Sequence, residues 1–219
     1  MKDLKAIRGT DLLHRMVAEG EHEQQDFKFA VSDASKIARS LSAFANCRGG
    51  RLLIGVKDNG TIAGVRNEED IYVVELAAER YCRPSVEVSF KAYRDGTAHV
   101  IVASVDTTDS RPIYAIEPDG RAKAYYRVAD ENIAAHPLMV RAWELAAGSD
   151  SLFFRPDGPL PAVLNALSRM GEVADVMVLA RALHITRASA EDAIATLAAL
   201  GLADFRFDGT AFRIIAAKN

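Results

Sequence analysis

Apolar residues recur along this chain with two periods, and the switches between them predict an order of elements. Residues 11–18 carry a short helical pattern. Residues 25–29 then alternate, with Phe27 and Phe29 on one face and Asp26 and Lys28 on the other, which predicts a half-buried strand. From Ser32 the helical period returns through Ile37, Leu41, Phe44 and Ala45 and stops at Gly49-Gly50. Ser32 is placed to accept a bond from a first-turn amide, and a glycine past the last turn takes the left-handed conformation that ends a helix. Leu52, Leu53, Ile54 and Val56 form a nearly continuous apolar run, the pattern of a strand covered on both faces, and Asp58-Asn59-Gly60 supplies a tight turn.

Residues 68–81 return to a helical pattern through Ile71, Val74, Leu76 and Ala78. That helix is expected to end before Pro84, because the residue preceding a proline avoids helical geometry. Residues 86–93 and 98–105, joined by Asp95-Gly96, carry a hairpin signature, and residues 124–128 add a strand expected in the same sheet. Asp130 or Asn132 is expected to open a last helix reaching Ala147. This order predicts the α+β class, a mixed sheet with packed helices. Gly148-Ser149-Asp150-Ser151 reads as a hinge, extended by Pro156, Gly158 and Pro159, so the expected division is residues 1–148 and residues 149–219. In the second part, residues 161–170, 176–183 and 187–200 fit three helices, and Phe205, Phe207, Asp208-Gly209, Phe212 and Ile214 fit a hairpin.

The E-x4-D-x-K spacing of Glu21, Asp26 and Lys28, the segment SAFANCRGG and the segment LLIGVKDNG follow one another in the first part. Together they resemble the Alba-like domain of the Schlafen family, whose bacterial members carry DNA-binding or divergent ATPase-like labels. The resemblance spans roughly residues 10–147 and rests on helix, double glycine, strand and turn in one order. It implies a domain associated with nucleic acid. In the family's RNA-cutting members three carboxylates act, and Glu21, Asp26 and Asp58 match their positions. Two positions depart from the pattern: Asp26 replaces a more usual glutamate, and Lys57 stands where a further acid is common. The element order of the second part is similar to a winged helix, a DNA-binding module of the helix-turn-helix group.

Composition narrows the options. The 30 acidic and 27 basic residues give a formal charge of −3, so contact with nucleic acid needs a local patch rather than overall attraction. Cys47 and Cys82 lack zinc-site spacing, and no G-x-x-x-x-G-K-[ST] run supports an ATPase. No apolar run approaches the ~20 residues that cross a bilayer, and the charged amino terminus lacks a signal core. A cytoplasmic protein with no membrane contact is expected.

The candidate chemistry divides in two. Glu21, Asp26 and Asp58, if convergent, would hold Mg or Mn and activate a water against a phosphodiester. Their ordinary roles would be a solvated loop acid, a strand-face partner of Lys28, and a turn cap. Arg48, Gly49, Gly50, Arg51, Lys57 and Arg127, with Arg66, Arg121 and Lys123, are candidates for a phosphate-facing patch, and Tyr125 and Tyr126 for stacking partners. His22, inside the acidic segment, is a candidate general base. In the second part Arg187 opens the candidate reading helix and Arg206 lies on the wing, while Glu191 and Asp192 would repel phosphates. The preferred expectation is a nucleic-acid-binding protein: a DNA-binding transcriptional regulator, working as a homodimer. The alternative is a metal-dependent endoribonuclease acting on structured RNA.

Overall fold

Helix α1 (Thr10–Glu19) leads into β1 (Gln25–Lys28), α2 (Ala34–Asn46) and β2 (Gly50–Ile54) in a computed structural model that describes residues 10–65, 69–148 and 158–217. β1 and β2 run parallel, with α2 as their crossover, and Asp26 stands opposite Leu52. After α3 (Glu69–Leu76) and a π-helical turn (Ala77–Tyr81) come β3 (Cys82–Arg83), β4 (Ser89–Asp95), β5 (Ala98–Val105), β6 (Tyr114–Ile116), β7 (Ala122–Val128) and β8 (Glu131–Ala134). The first sheet has the order β1-β2-β5-β4 and is mixed, because β5 pairs antiparallel to both β2 and β4. The chain is of the α+β class.

Period-two alternation covers both faces of this sheet. Leu52, Ile54, Ile101 and Ala103 face α2, whereas Phe27, Leu53, Val100 and Val102 pack with Leu13 and Met16 of α1. Asp26 and Lys28 therefore lie on the α2 side. α2 itself is buried on nearly every side, because a second sheet, β3-β6-β7-β8, packs on it as well. The strand at 124–128 was expected in the same sheet as β2; it belongs to this second sheet, since its flanking turns pair it with β6 and β8.

Two further expectations are corrected. Asp33, not Ser32, caps α2: its carboxylate accepts from Ser35 N at 3.0 Å and Lys36 N at 3.3 Å, which holds its pKa below the usual range, the Ser35 hydroxyl contributing most. The segment after Asp130 forms β8 rather than helix, because Ala129, at φ 50°, turns the chain back on β7. The closing helix α4 (Pro137–Gly148) starts at a proline, where the missing N–H has no intrahelical acceptor to lose. Glu68, Arg66 and most of the expected hinge lie outside the described residues.

The chain divides into two units, one ending at Ala134 and the other beginning at Ala135. The second contains α4, α5 (Leu160–Met170), β9 (Glu172–Val173), α6 (Val176–Ala182), α7 (Arg187–Ala199), β10 (Ala203–Phe207) and β11 (Phe212–Ala216). α4 packs along α7. The two-residue β9 joins the hairpin to give a sheet of order β10-β11-β9. Val163, Leu167, Leu179, Ile194, Leu197 and Ile214 are buried among these elements. No helix among the described residues is long and apolar enough to cross a membrane.

Candidate functional site

β1 is an edge strand, and its outward groups are met by side chains and by the backbone of His22 rather than by another strand. The Phe27 amide donates to Glu21 Oε1 at 2.8 Å. Asp26, one residue earlier, turns its carboxylate toward α2, where the side chain is only 6% exposed. Lys28 Nζ stands 2.8 Å from its Oδ2, and Arg127 Nη2 stands 3.6 Å from its Oδ1. Glu21 lies against Asp26; burial first, and then that contact, push the Glu21 carboxyl above its ordinary range.

Arg127 was expected on a phosphate-facing patch. It is buried instead, with a side chain 1% exposed. Its guanidinium donates to Asn132 Oδ1 at 2.9 Å and to the Gln25 and His22 carbonyls at 3.2 and 3.4 Å, and lies 5.2 Å from the Phe44 ring centroid. Asn132 donates onward to Ser40 Oγ at 3.0 Å. The ensemble ties β1, α2, β7 and β8 together and neutralises Asp26 from two sides.

Asp58 is remote from this centre. Glu21 precedes β1 and Asp58 follows β2; the two strands are parallel, so these acids stand at opposite ends of the pair. Asp58 is exposed, and Asn59, not Asp58, closes the turn by accepting from Thr61 N at 3.0 Å. Among the described residues no three His, Cys, Asp or Glu side chains form a group able to hold a metal ion. With Asp26 already matched by Lys28 and Arg127, these residues do not fit a three-carboxylate Mg or Mn site.

The double glycine has a packing explanation. Gly49 has φ 72° and its amide donates to Phe44 O at 2.9 Å, while an added Cβ would stand 2.7 Å from Val105 O. A Cβ on Gly50 would overlap the Phe44 ring. The Arg51 amide is also engaged, donating to Gln24 O at 2.9 Å. Beside the glycines opens a cleft of about 370 Å³, lined by Glu19, His22, Gln24, Arg48, Arg51 and Asp106 among others. Arg51 is fixed there by Glu19 and by Gln25 Oε1 at 2.6 Å, and buried Gln25 is itself fixed by the Gly20 carbonyl at 2.7 Å. His22 has both ring nitrogens engaged: Nδ1 accepts from Gln24 N at 3.2 Å and Nε2 stands 3.7 Å from Glu19. A general base needs a free lone pair, which this arrangement does not leave.

The basic candidates therefore do not form one surface. Arg48 and Arg51 rim the cleft, Lys57 lies beyond the far end of β2 over the Phe29 ring, and Arg127 is inside. Tyr125 is buried, its hydroxyl donates to Glu117 Oε1 at 2.5 Å, and burial followed by that bond push the phenol up to about 12. The polar residues that organise the site, Gln25, Ser40 and Asn46, are neutral side chains whose partners lie far along the chain, so local pattern does not single them out even though Asn46 falls inside SAFANCRGG. Asn46 is the clearest, clamping Ile113 through its N–H at 2.7 Å and its carbonyl at 2.9 Å.

In the second unit Thr186 caps α7 by accepting from Ser189 N at 3.1 Å. Arg187, 66% exposed in its side chain, places Nε 2.7 Å from Glu191 Oε1. Asp192 pairs with Arg141 of α4, and Arg206 pairs with Glu172. The two acids of α7 thus meet arginines within their own unit.

Residues 21–136 match the family model described as Schlafen, AlbA_2. No curated protein matches the chain. Among solved structures it is similar to the DIP2311 protein from Corynebacterium diphtheriae, at 17% identity and a TM-score of 0.47, covering 93% of this chain and 37% of that one. It is also similar to the N-terminal domain of a RecG-related protein from Nitrosomonas europaea, at 22% identity and a TM-score of 0.38, covering 60% of this chain and 96% of that one.

Proposed function

The chain belongs to the Schlafen AlbA_2 family, and from that premise we propose a nucleic-acid-binding protein that acts on DNA as a homodimeric transcriptional regulator. Family membership supports the association with nucleic acid. The observation that supports the regulatory reading is the element order α5-β9-α6-α7-β10-β11 with its sheet β10-β11-β9, which we read as similar to a winged helix. In this reading α7 enters the major groove and the β10–β11 turn contacts the backbone. Arg48 and Arg51, at the rim of the first unit's cleft, add phosphate contacts.

Duplex binding by the full chain, measured by fluorescence anisotropy over a series of salt concentrations, tests the proposal. Affinity should fall linearly with salt on logarithmic axes, and replacing Arg187 and Arg206 together should weaken it. Undiminished affinity in that double variant would assign the second unit to protein contacts. The endoribonuclease reading is examined by incubating end-labelled transfer RNA with the protein, with manganese and with chelator. Discrete cuts that vanish with chelator would replace the regulatory reading, whereas intact RNA in every lane leaves the carboxylates structural.

A further inference from the structure

Arg187 occupies a position that helix stability does not favour. It is the first residue of α7, where the positive end of the helix dipole opposes a cation. Its partner Glu191 follows it by four residues, the less stabilising order for such a pair. The pair is also solvent-exposed on the arginine side, where an isolated ion pair contributes little. What the pair does provide is direction. Glu191 Oε1 takes the Nε edge of the guanidinium, and the two Nη groups make no hydrogen bond among the described residues. The planar fork is thereby oriented by one edge and open at the other.

Resting on the winged-helix reading above, we infer that Arg187, buttressed by Glu191, is a specificity-determining residue that reads a guanine in the major groove. A guanidinium offers two parallel donors matched to guanine O6 and N7, and residues at the start of a recognition helix reach base edges. No asparagine or glutamine occurs in the first turn of α7, where Arg187 is followed by Ala188 and Ser189, so the turn lacks the side chains that pair with adenine. Asp192, paired with Arg141, and Glu191, paired with Arg187, no longer present bare carboxylates to the phosphates. Glu191 is a positioning residue: it touches no base and acts through the fork it holds.

The test is selection from a randomised duplex library with the full chain and with Arg187→Ala, Arg187→Lys and Glu191→Gln, each checked for native circular dichroism. The wild-type protein should enrich sites sharing one guanine. Arg187→Ala should lose discrimination at that base pair by about 5- to 150-fold and leave the other positions as they were. Arg187→Lys should keep binding to non-specific duplex but lose the guanine preference, and Glu191→Gln should weaken the preference with little change in non-specific affinity. A guanine preference that survives Arg187→Ala overturns the inference while leaving the DNA-reading function intact. Full discrimination in Glu191→Gln overturns the positioning role. Failure of the wild-type chain to enrich any sequence overturns the DNA-reading function and this inference with it.

Discussion

Arg127 on β7 reaches Asp26 on β1 although the two strands belong to different sheets, with Nη2 3.6 Å from Oδ1. The contact passes beside α2, whose Phe44 ring supports the guanidinium. Asp26 is thus a buried carboxylate with two cationic neighbours, and Arg127 spends its donors on carbonyls of the segment leading into β1. Removing one member of a buried pair leaves the other uncompensated, which typically costs about 3–5 kcal/mol. Arg127→Leu should therefore lower unfolding free energy by about that amount in urea titrations. Asp26→Asn keeps the shape but leaves the buried Arg127 guanidinium without its carboxylate, so it should cost a similar amount, while half-buried Lys28 turns to solvent. A double-mutant cycle should return a coupling of about 1 kcal/mol or more, and strict additivity would show that the two side chains do not act on one another.

The glycine pair allows a sharper distinction between packing and ligand binding. Gly50→Ala forces the Phe44 ring to move and should destabilise by about 1–3 kcal/mol, the usual range for overpacking. Adding Phe44→Leu should recover part of that loss, since the smaller side chain vacates the overlapped space. Gly49→Ala combines the strain of φ 72° with backbone obstruction by Val105 O, so no side-chain substitution should rescue it. Duplex affinity of the folded Gly50→Ala, Phe44→Leu protein should equal that of wild type. A selective loss of affinity at unchanged stability would return the glycines to the ligand site.

Thiol chemistry reports on the same core. Cys82 is buried, its Sγ lies 3.8 Å from the Ala38 carbonyl, and burial pushes its thiol up to about 12. The thiolate is the reactive species, so Cys82 should resist iodoacetamide in the native protein and react on unfolding. Cys47 is also raised by burial, although its sulfur accepts from the Arg127 amide at 3.2 Å. In a Cys47→Ser variant, mass spectrometry should find the native chain unlabelled under conditions that label it fully in urea. Rapid native labelling of Cys82 would mean that α2 and the second sheet open readily.

Local signals in the sequence located most elements, because each depends on neighbours in the chain. Ile37, Leu41 and Phe44 mark the buried side of α2, the double glycine marks its end, and the run from Leu52 marks a strand covered on both faces. What the sequence did not contain was the sheet to which a strand belongs. Residues 124–128 alternate as any hairpin strand does, and only tertiary pairing assigns them to β6 and β8. That one assignment decides the fate of Arg127: on the second sheet it is buried and reaches Asp26 beside α2. The carboxylates follow the same logic. Spacing set Glu21 near Asp26, five residues on, but the parallel register of β1 and β2 sets Asp58 at the opposite end. β9 was missed because two residues carry no periodicity to read.

His136 gives the second unit a pH dependence that can be separated from the rest of the chain. Its ring stacks on Phe205 at 5.3 Å and meets Phe212 edge-on at 6.3 Å, while Nδ1 accepts from the Leu138 amide at 3.2 Å at the start of α4. Burial lowers its pKa below the ordinary 6.5, with Glu191 of α7 acting in the opposite direction. Asp204, Arg206 and Arg213 flank the contacting phenylalanines in sequence, and strand alternation turns them to the other face of the hairpin. Protonation would place a charge among these rings, break the bond to Leu138 and set a cation at the positive end of α4. Because the folded pKa is depressed, the unfolded chain takes up the proton first. His136's contribution is therefore fully present above about 6.5 and is lost as pH falls toward and through the folded pKa. Trp143, the chain's one tryptophan, lies on α4 and reports on this unit by fluorescence. The urea midpoint read from Trp143 should drop on acidification below that value, and His136→Phe should flatten the slope. An equal slope in wild type and variant would place the sensitivity elsewhere in the unit.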